Sequence, residues 1–243
     1  MEIPQRVIIF SGAGLSAESG ISTFRGADGL WANYDVNDVC NFYTWLDNFD
    51  LVHSFYNMRR VELGTVEPNE AHKTIARIQQ RYGTRQVFVI TQNVDDLLER
   101  AGCQNVMHVH GELTKLRCLH CGYIWSIGYS EYKHSECPTC KHHQAIKPSV
   151  VFFYEQAPMY RAMHERVSSI SQDDIIVVVG TSGKVVSIST LFMDIKAKGY
   201  KILNNLEPSS RIDEKLFDEI YYEPSTTAML KIEQEIYKKV QKF

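Results

Sequence analysis

An α/β fold, a Rossmann-like parallel sheet with helices on both faces, is predicted by three features of the sequence. Short β-branched runs alternate with helical patterns, the runs are apolar throughout, and each is followed by small or polar residues. Length and composition agree: 243 residues, 44% hydrophobic and 23% charged, suit one globular domain with an insertion and a sizeable core.

The first run, Val7-Ile8-Ile9-Phe10, reads as a strand. Broken at once by Ser11-Gly12, it is too short for a signal-peptide core or a membrane span, so the cytoplasm is the expected compartment. Gly12-Ala-Gly14-Leu-Ser-Ala17 follows at a strand-to-helix junction. Its glycines would let the backbone approach a pyrophosphate, and the helix N-terminus behind them would favour negative charge. Gly20 to Gly26 is turn-forming and leads to no second strand with an acidic ribose-binding residue, which counts against a hydride-transferring dehydrogenase.

Asn69 to Tyr82 reads as a helix, with Ala71, Ile75, Ile78 and Tyr82 at helical spacing, Asn69 as its cap and Gly83 at its end. The strand Val87 to Thr91 runs into Gln92-Asn93-Val94-Asp95, whose amide and carboxylate groups can bind ribose hydroxyls or a carboxamide. In His108-Val-His110 an extended backbone would turn both rings to one side. Taken alone, such histidines are more often structural than catalytic. Two more strands, Ile175 to Val179 and Lys201 to Leu203, end in Gly180-Thr-Ser182 and Asn205-Leu-Glu207. Ligands of such sheets bind beyond the carboxyl ends of the strands, so these clusters and the glycine turn converge on one cleft.

Two stretches interrupt the alternation: the aromatic-rich Trp31 to Gly64 and the cysteine-rich Cys118 to Lys147. The expected organisation is a nucleotide-binding domain of residues 1–30, 65–112 and 148–243, with a helical insertion at 31–64 and a zinc-binding insertion at 113–147 forming a smaller lobe. Cys118-Leu-His-Cys121 and Cys137-Pro-Thr-Cys140, fifteen residues apart, suit two turns offering four thiolates to one tetrahedral zinc. Disulfides or free thiols are the alternatives. Four thiolates leave zinc no open position, so the metal would be structural. His120, His134, His142 and His143 then read as solvated loop residues, and Cys40 and Cys103 as small buried hydrophobes. With Lys+Arg 26 against Asp+Glu 29 the net charge is −3, which gives no footprint of a nucleic-acid binder. No membrane partner is expected either.

In order along nearly the whole chain, GAGLSAESGI with TFRG, TQNVD, HVHGEL, the four cysteines, GTS and NLEPS resemble the sirtuins, NAD-dependent protein-lysine deacylases, and within them the bacterial CobB-type members. The resemblance implies NAD as a consumed co-substrate, one structural zinc and acylated-lysine proteins as substrates; a monomer is expected. It places Gly12, Ala13, Glu18, Thr23, Phe24 and Arg25 along the dinucleotide. Gln92, Asn93 and Asp95 would hold nicotinamide and its ribose, Gly180, Thr181 and Ser182 the phosphate side, and Asn205, Leu206, Glu207 and Ser225 the adenosine end. His110 would be the general base, with Asn93 and Asp95 beside it in the catalytic set. Tyr56 and Arg59, three apart and so on one helix face, match the branch that accepts acidic acyl groups: the guanidinium can grip a succinyl or malonyl carboxylate while the phenol adds a hydrogen bond. Ser22, Leu98, Tyr154 and Lys184 to Ser187 depart from the family pattern, Tyr154 standing where glycine is usual. Protein mono-ADP-ribosyl transfer at the same NAD site is the alternative activity, and a non-catalytic zinc module is the third reading.

Overall fold

A computed structural model describes residues 5–21, 34–195 and 198–240. The first half of the chain forms β1 (Val7–Ser11), α1 (Gly14–Ala17), α2 (Val36–Val39), α3 (Phe49–Leu63), α4 (Glu70–Tyr82), β2 (Val87–Thr91), α5 (Leu97–Arg100) and β3 (Met107–His108). It continues through β4 (Gly111–Cys118), β5 (Ile124–Ser126), β6 (Ile146–Val150), α6 (Tyr160–Ser168) and β7 (Ile175–Val179). The last elements are α7 (Ile188–Leu191), β8 (Tyr200–Asn205), β9 (Glu219–Tyr222) and α8 (Ser225–Lys239).

Six strands make one parallel sheet in the order β3-β2-β1-β7-β8-β9. The four apolar runs are its central strands. The two edges, β3 and β9, were not legible as such runs: β3 is two residues long, and Glu-Ile-Tyr-Tyr in β9 is only partly buried. An edge strand needs no apolar side chain on every residue, so its pattern is weak.

Alternate residues of the central strands enter different layers. Val7 and Ile9, with Val177 and Val179, pack under α4 and α8, which supply Ile75, Ile78, Ile232 and Ile236. Ile8 and Phe10, with Ile176 and Val178, pack on the other face against Met163, Val167 and Ile188 of α6 and α7. Helix α4 begins as expected: the Asn69 side chain accepts from the Ala71 and His72 amides, the His72 ring receives the Asn69 amide in return, and Gly83 follows the last turn at φ +83°.

A smaller antiparallel sheet, β5-β4-β6, lies under α3. Phe55, Tyr56 and Leu63 of α3 share a core with Leu113, Val150 and Phe152. At one end of this sheet the Sγ atoms of Cys118, Cys121, Cys137 and Cys140 all lie within 4.8 Å of one another. Cys118–Cys140 and Cys121–Cys137 are 3.6 and 3.7 Å apart. A disulfide needs about 2.05 Å, whereas tetrahedral bonds of about 2.3 Å to zinc place sulfurs about 3.8 Å apart. The four thiols therefore fit one closed zinc site. Two tight turns present them: the Gly122 amide donates to Cys118 O at 2.8 Å and the Lys141 amide to Cys137 O at 3.0 Å. The four neighbouring histidines are exposed, and Cys40 and Cys103 are buried, as the sequence suggested.

Among the described residues, no helix is long and apolar enough to cross a membrane.

Two consequences can be measured. The purified chain should carry one zinc by elemental analysis, and Cys118→Ser should lower both metal content and the melting midpoint; a metal-free chain of unchanged Tm would contradict a structural site. Gly180→Ala should cost about 2–5 kcal/mol in chemical denaturation. Gly180 sits at φ +64°, and a Cβ there would lie 2.4 Å from the Leu15 amide nitrogen and 2.6 Å from the Gly14 carbonyl carbon.

Candidate active site

The strand order reverses direction between β1 and β7, and the turns that leave these two strands meet at the crevice this creates. The Gly12 amide donates to Val179 O at 3.0 Å, and the Gly14 amide to Gly180 O at 2.8 Å. A Cβ on Gly12 would stand 2.8 Å from Gly180 O and from Thr181 Cβ, and one on Gly14 2.7 Å from Gly180 Cα. These glycines are thus required by contact between two protein turns, a reason that pyrophosphate binding alone did not supply. Helix α1 behind them is a single turn with no side-chain cap, so the charge it offers comes from a few free amides more than from a long helix dipole.

Every expected dinucleotide or catalytic position within the described residues lies at a carboxyl end of the parallel sheet or beside one, whereas Tyr56 and Arg59 lie in α3 and the four cysteines by the smaller sheet. Ala13 and Glu18 flank α1, and Gln92 to Asp95 leave β2. Gly180 to Ser182 leave β7, while Asn205 closes β8, with Leu206 and Glu207 exposed beyond it. Thr23, Phe24 and Arg25 lie outside the described residues.

Gln92 ties two of these ends together: its side-chain amide donates to the Thr181 hydroxyl at 2.9 Å. Asn93 and Asp95 meet on Ser16, a residue not singled out from the sequence. The Ser16 hydroxyl donates to Asp95 Oδ2 at 2.9 Å and accepts from Asn93 Nδ2 at 3.0 Å, with His72 Nε2 at 3.2 Å. Burial raises the Asp95 carboxyl, opposed by the Ser16 hydroxyl and the Leu97 amide. Burial holds His72 down to about 3, so its ring is neutral. The signal that could have found Ser16 was its place inside the glycine turn; His72 read only as a helix residue.

Glu18 and Ser225, both expected along the dinucleotide, touch each other. Ser225 and Thr226 hydroxyls donate to the Glu18 carboxylate at 3.1 and 2.7 Å, and the Thr226 amide donates at 3.0 Å. Burial would raise Glu18, but these donors outweigh it and hold the carboxyl below its ordinary value. Helix α8 has no side-chain cap at Pro224, so Glu18 supplies the missing acceptor at its N-terminus.

The two histidines part company. His108 Nδ1 bonds to Asn93 O at 2.9 Å and Nε2 to Glu99 Oε1 at 2.8 Å. Burial alone would lower His108, but Glu99, with the Asn93 carbonyl, outweighs it and raises the ring, whose two nitrogens are both committed to acceptors. His110 Nδ1 bonds to the preceding carbonyl, Gln92 O, at 2.9 Å, while Nε2 faces the Tyr160 hydroxyl at 2.9 Å. Burial lowers His110, against the Gln92 carbonyl. A carbonyl can only accept, so Nδ1 carries the proton and the neutral ring presents Nε2 as a base. The expectation that both rings face one side does not hold at their second nitrogens, because the strand ends at His108 and a turn carries His110 toward α6.

Arg59 and Tyr56 lie on α3, as their spacing implied, but they are differently engaged. The Arg59 guanidinium is paired with Glu62 at 3.0 Å and lines a cavity of about 30 Å³ together with Ile21, Val94, Asp95 and Leu113. Tyr56 is buried, stacks on Phe152 and donates to Cys40 Sγ at 3.4 Å. Its phenol would have to leave that thiol to meet a ligand. Tyr154 takes φ +66°, the backbone region that favours glycine, and packs on Tyr43 at the surface. Of the run Lys184 to Ser187, Ser187 has a local role, accepting the Thr190 amide as the cap of α7.

Residues 12–187 match the Sir2 family. The chain is 50% identical to an NAD-dependent protein deacylase of Helicobacter hepaticus, over 95% of its own length and 97% of the relative's. It is 44% identical to one of Campylobacter jejuni, over 96% of each. Among solved structures it is similar to a mutant Sir2 homologue in complex with ADP ribose, at TM-score 0.84 and 30% identity, covering 96% of this chain and 92% of that one.

Proposed function

The chain belongs to the Sir2 family and is an NAD-dependent protein deacylase, and we propose that it removes succinyl and malonyl groups from lysine, acetyl groups less well, giving nicotinamide and O-acyl-ADP-ribose. The observation that carries the acidic-acyl reading is Arg59, a largely buried guanidinium on a cavity wall it shares with Val94 and Asp95 of the cleft segment. A succinyl carboxylate offers it a charge-assisted partner in a site of low dielectric. Tyr56 can join by exchanging Cys40 Sγ, a weak acceptor, for the carboxylate. Glu62 is the carboxylate an acyl group would have to displace or share.

In this reading the residues beyond β2 work together. Asn93 and Asp95, locked to Ser16, hold the nicotinamide ribose with Gln92, and the turns of Gly12 and Gly180 to Ser182 take the phosphates. His110 is the base: burial keeps it neutral at pH 7, and Nε2 can accept the proton of a ribose hydroxyl. Removing that proton lets the ribose oxygen attack the imidate formed when the acyl oxygen has displaced nicotinamide. In this reading the helical insertion, from residue 34 to 64, and the zinc-binding insertion at 113–147 form the smaller lobe across the cleft.

Arg59→Met should cut kcat/KM for a succinyl-lysine peptide roughly 10- to 150-fold, the worth of one charge-assisted hydrogen bond, while deacetylation changes little. Equal losses on both substrates would sink the acidic-acyl assignment. His110→Ala, incubated with NAD and the same peptide, should yield no O-acyl-ADP-ribose by mass spectrometry; ADP-ribosylated protein from the wild type instead would favour transfer to protein.

A further inference from the structure

We infer that Tyr160 caps the base nitrogen of His110 in the ligand-free chain and gives it up to the ribose hydroxyl, a positioning role that rests on His110 being the base. The Tyr160 hydroxyl lies 2.9 Å from His110 Nε2, the ring centroids 5.9 Å apart. With Nδ1–H committed to Gln92 O, Nε2 holds a lone pair and the phenol can only donate to it. That lone pair is the one a substrate proton needs. Cap and substrate therefore compete for one atom.

Tyr160 is placed to yield. It is the first residue of α6, whose N-terminus has no side-chain cap, and its hydroxyl has no other hydrogen-bond partner among the described residues. Rotation of one partly buried side chain releases Nε2 without moving the helix. While the cap is on, the imidazole keeps its tautomer and a satisfied acceptor in a buried setting.

Among the described residues, no charge competes for the ring from the segments packed on it. Gln92 contacts it from the end of β2, and the Val151 amide bonds His110 O from the end of β6. Asp95 is bonded to Ser16 and Leu97, Lys147 is paired with Glu155, and Arg161 of α6 is paired with Glu165. His108 is held by Glu99. Among the described residues, Tyr160 is thus the titratable side chain that meets His110.

A bond made to the neutral ring of the free enzyme lowers the His110 pKa there and weakens binding, but is absent once the ribose hydroxyl is in place. In Tyr160→Phe, which keeps the ring, the His110 pKa in the free protein should rise by about half to one unit, followed by NMR of its imidazole protons. The acid limb of kcat/KM should move up with it, and the acid limb of kcat should not. On the alkaline side KM for NAD should fall about two- to tenfold at constant kcat, because only the free state has lost a stabilising contact.

Unchanged His110 titration in Tyr160→Phe would overturn the cap. Equal shifts of both pH limbs would mean the phenol stays on the imidazole in the complex, which overturns its release. His110→Ala separates this from the reading beneath it. If that variant turns over normally, His110 is not the base and both fall; if it is inactive while Tyr160→Phe behaves as wild type, only the cap falls.

Discussion

The contact between the turn after β1 and the turn after β7 is the constraint on which the cleft depends. Two parallel strands whose crossovers leave in opposite directions open a crevice between them, and here it is floored by backbone meeting backbone: Gly14 N on Gly180 O at 2.8 Å, with no room for a Cβ on Gly12, Gly14 or Gly180. The glycines let the two turns touch, and Gly180 takes a left-handed backbone that would cost another residue about 1–2 kcal/mol. Once this floor is set, Ser16 is carried to Asn93 and Asp95, Glu18 to the start of α8, and Gln92 to Thr181. The Ser16 bonds join neighbouring strand ends, β1 and β2, whereas Gln92 reaches past β1 to the end of β7 and Glu18 reaches the helix that follows β9.

Polar groups beside that floor are paired, and the pairing sets two similar histidines apart. Gln92 and Asn93 offer consecutive carbonyls to His110 and His108. The first bond on each ring is the same, so the difference comes from the second nitrogen. Glu99 takes the second nitrogen of His108, so that ring has nothing left to give, whereas an uncharged phenol faces Nε2 of His110. In a low-dielectric site the Glu99 carboxylate, with the Asn93 carbonyl and Glu112, reverses the effect of burial on His108.

The same division appears on α3. Arg60 is fully buried, donating to Leu113 O at 2.8 Å and to Asn57 Oδ1 at 2.6 Å, and so ties the helix to β4. Its neighbour Arg59 turns about 100° round the helix to the cavity by Asp95. One arginine anchors the smaller sheet, held at its far end by four thiols, and this leaves the other on a rigid wall.

Much of this was legible in the chain itself. The buried central strands announced themselves as unbroken apolar runs, α4 by its spacing with Asn69 and Gly83 at its ends, and the thiol cluster by two CxxC pairs. These are local patterns, set by the period of a strand or helix and by how close two thiolates must stand. Edge strands β3 and β9, the capping of α8 by Glu18 more than two hundred residues away, the meeting of Ser16 with Asp95, and the opposed fates of His108 and His110 were decided only in three dimensions. A side chain's partner and its burial depend on segments remote in sequence, and no periodicity records them. The sequence by itself determined which residue types would stand at the strand ends; tertiary structure determined which would be locked together and which would face the cleft.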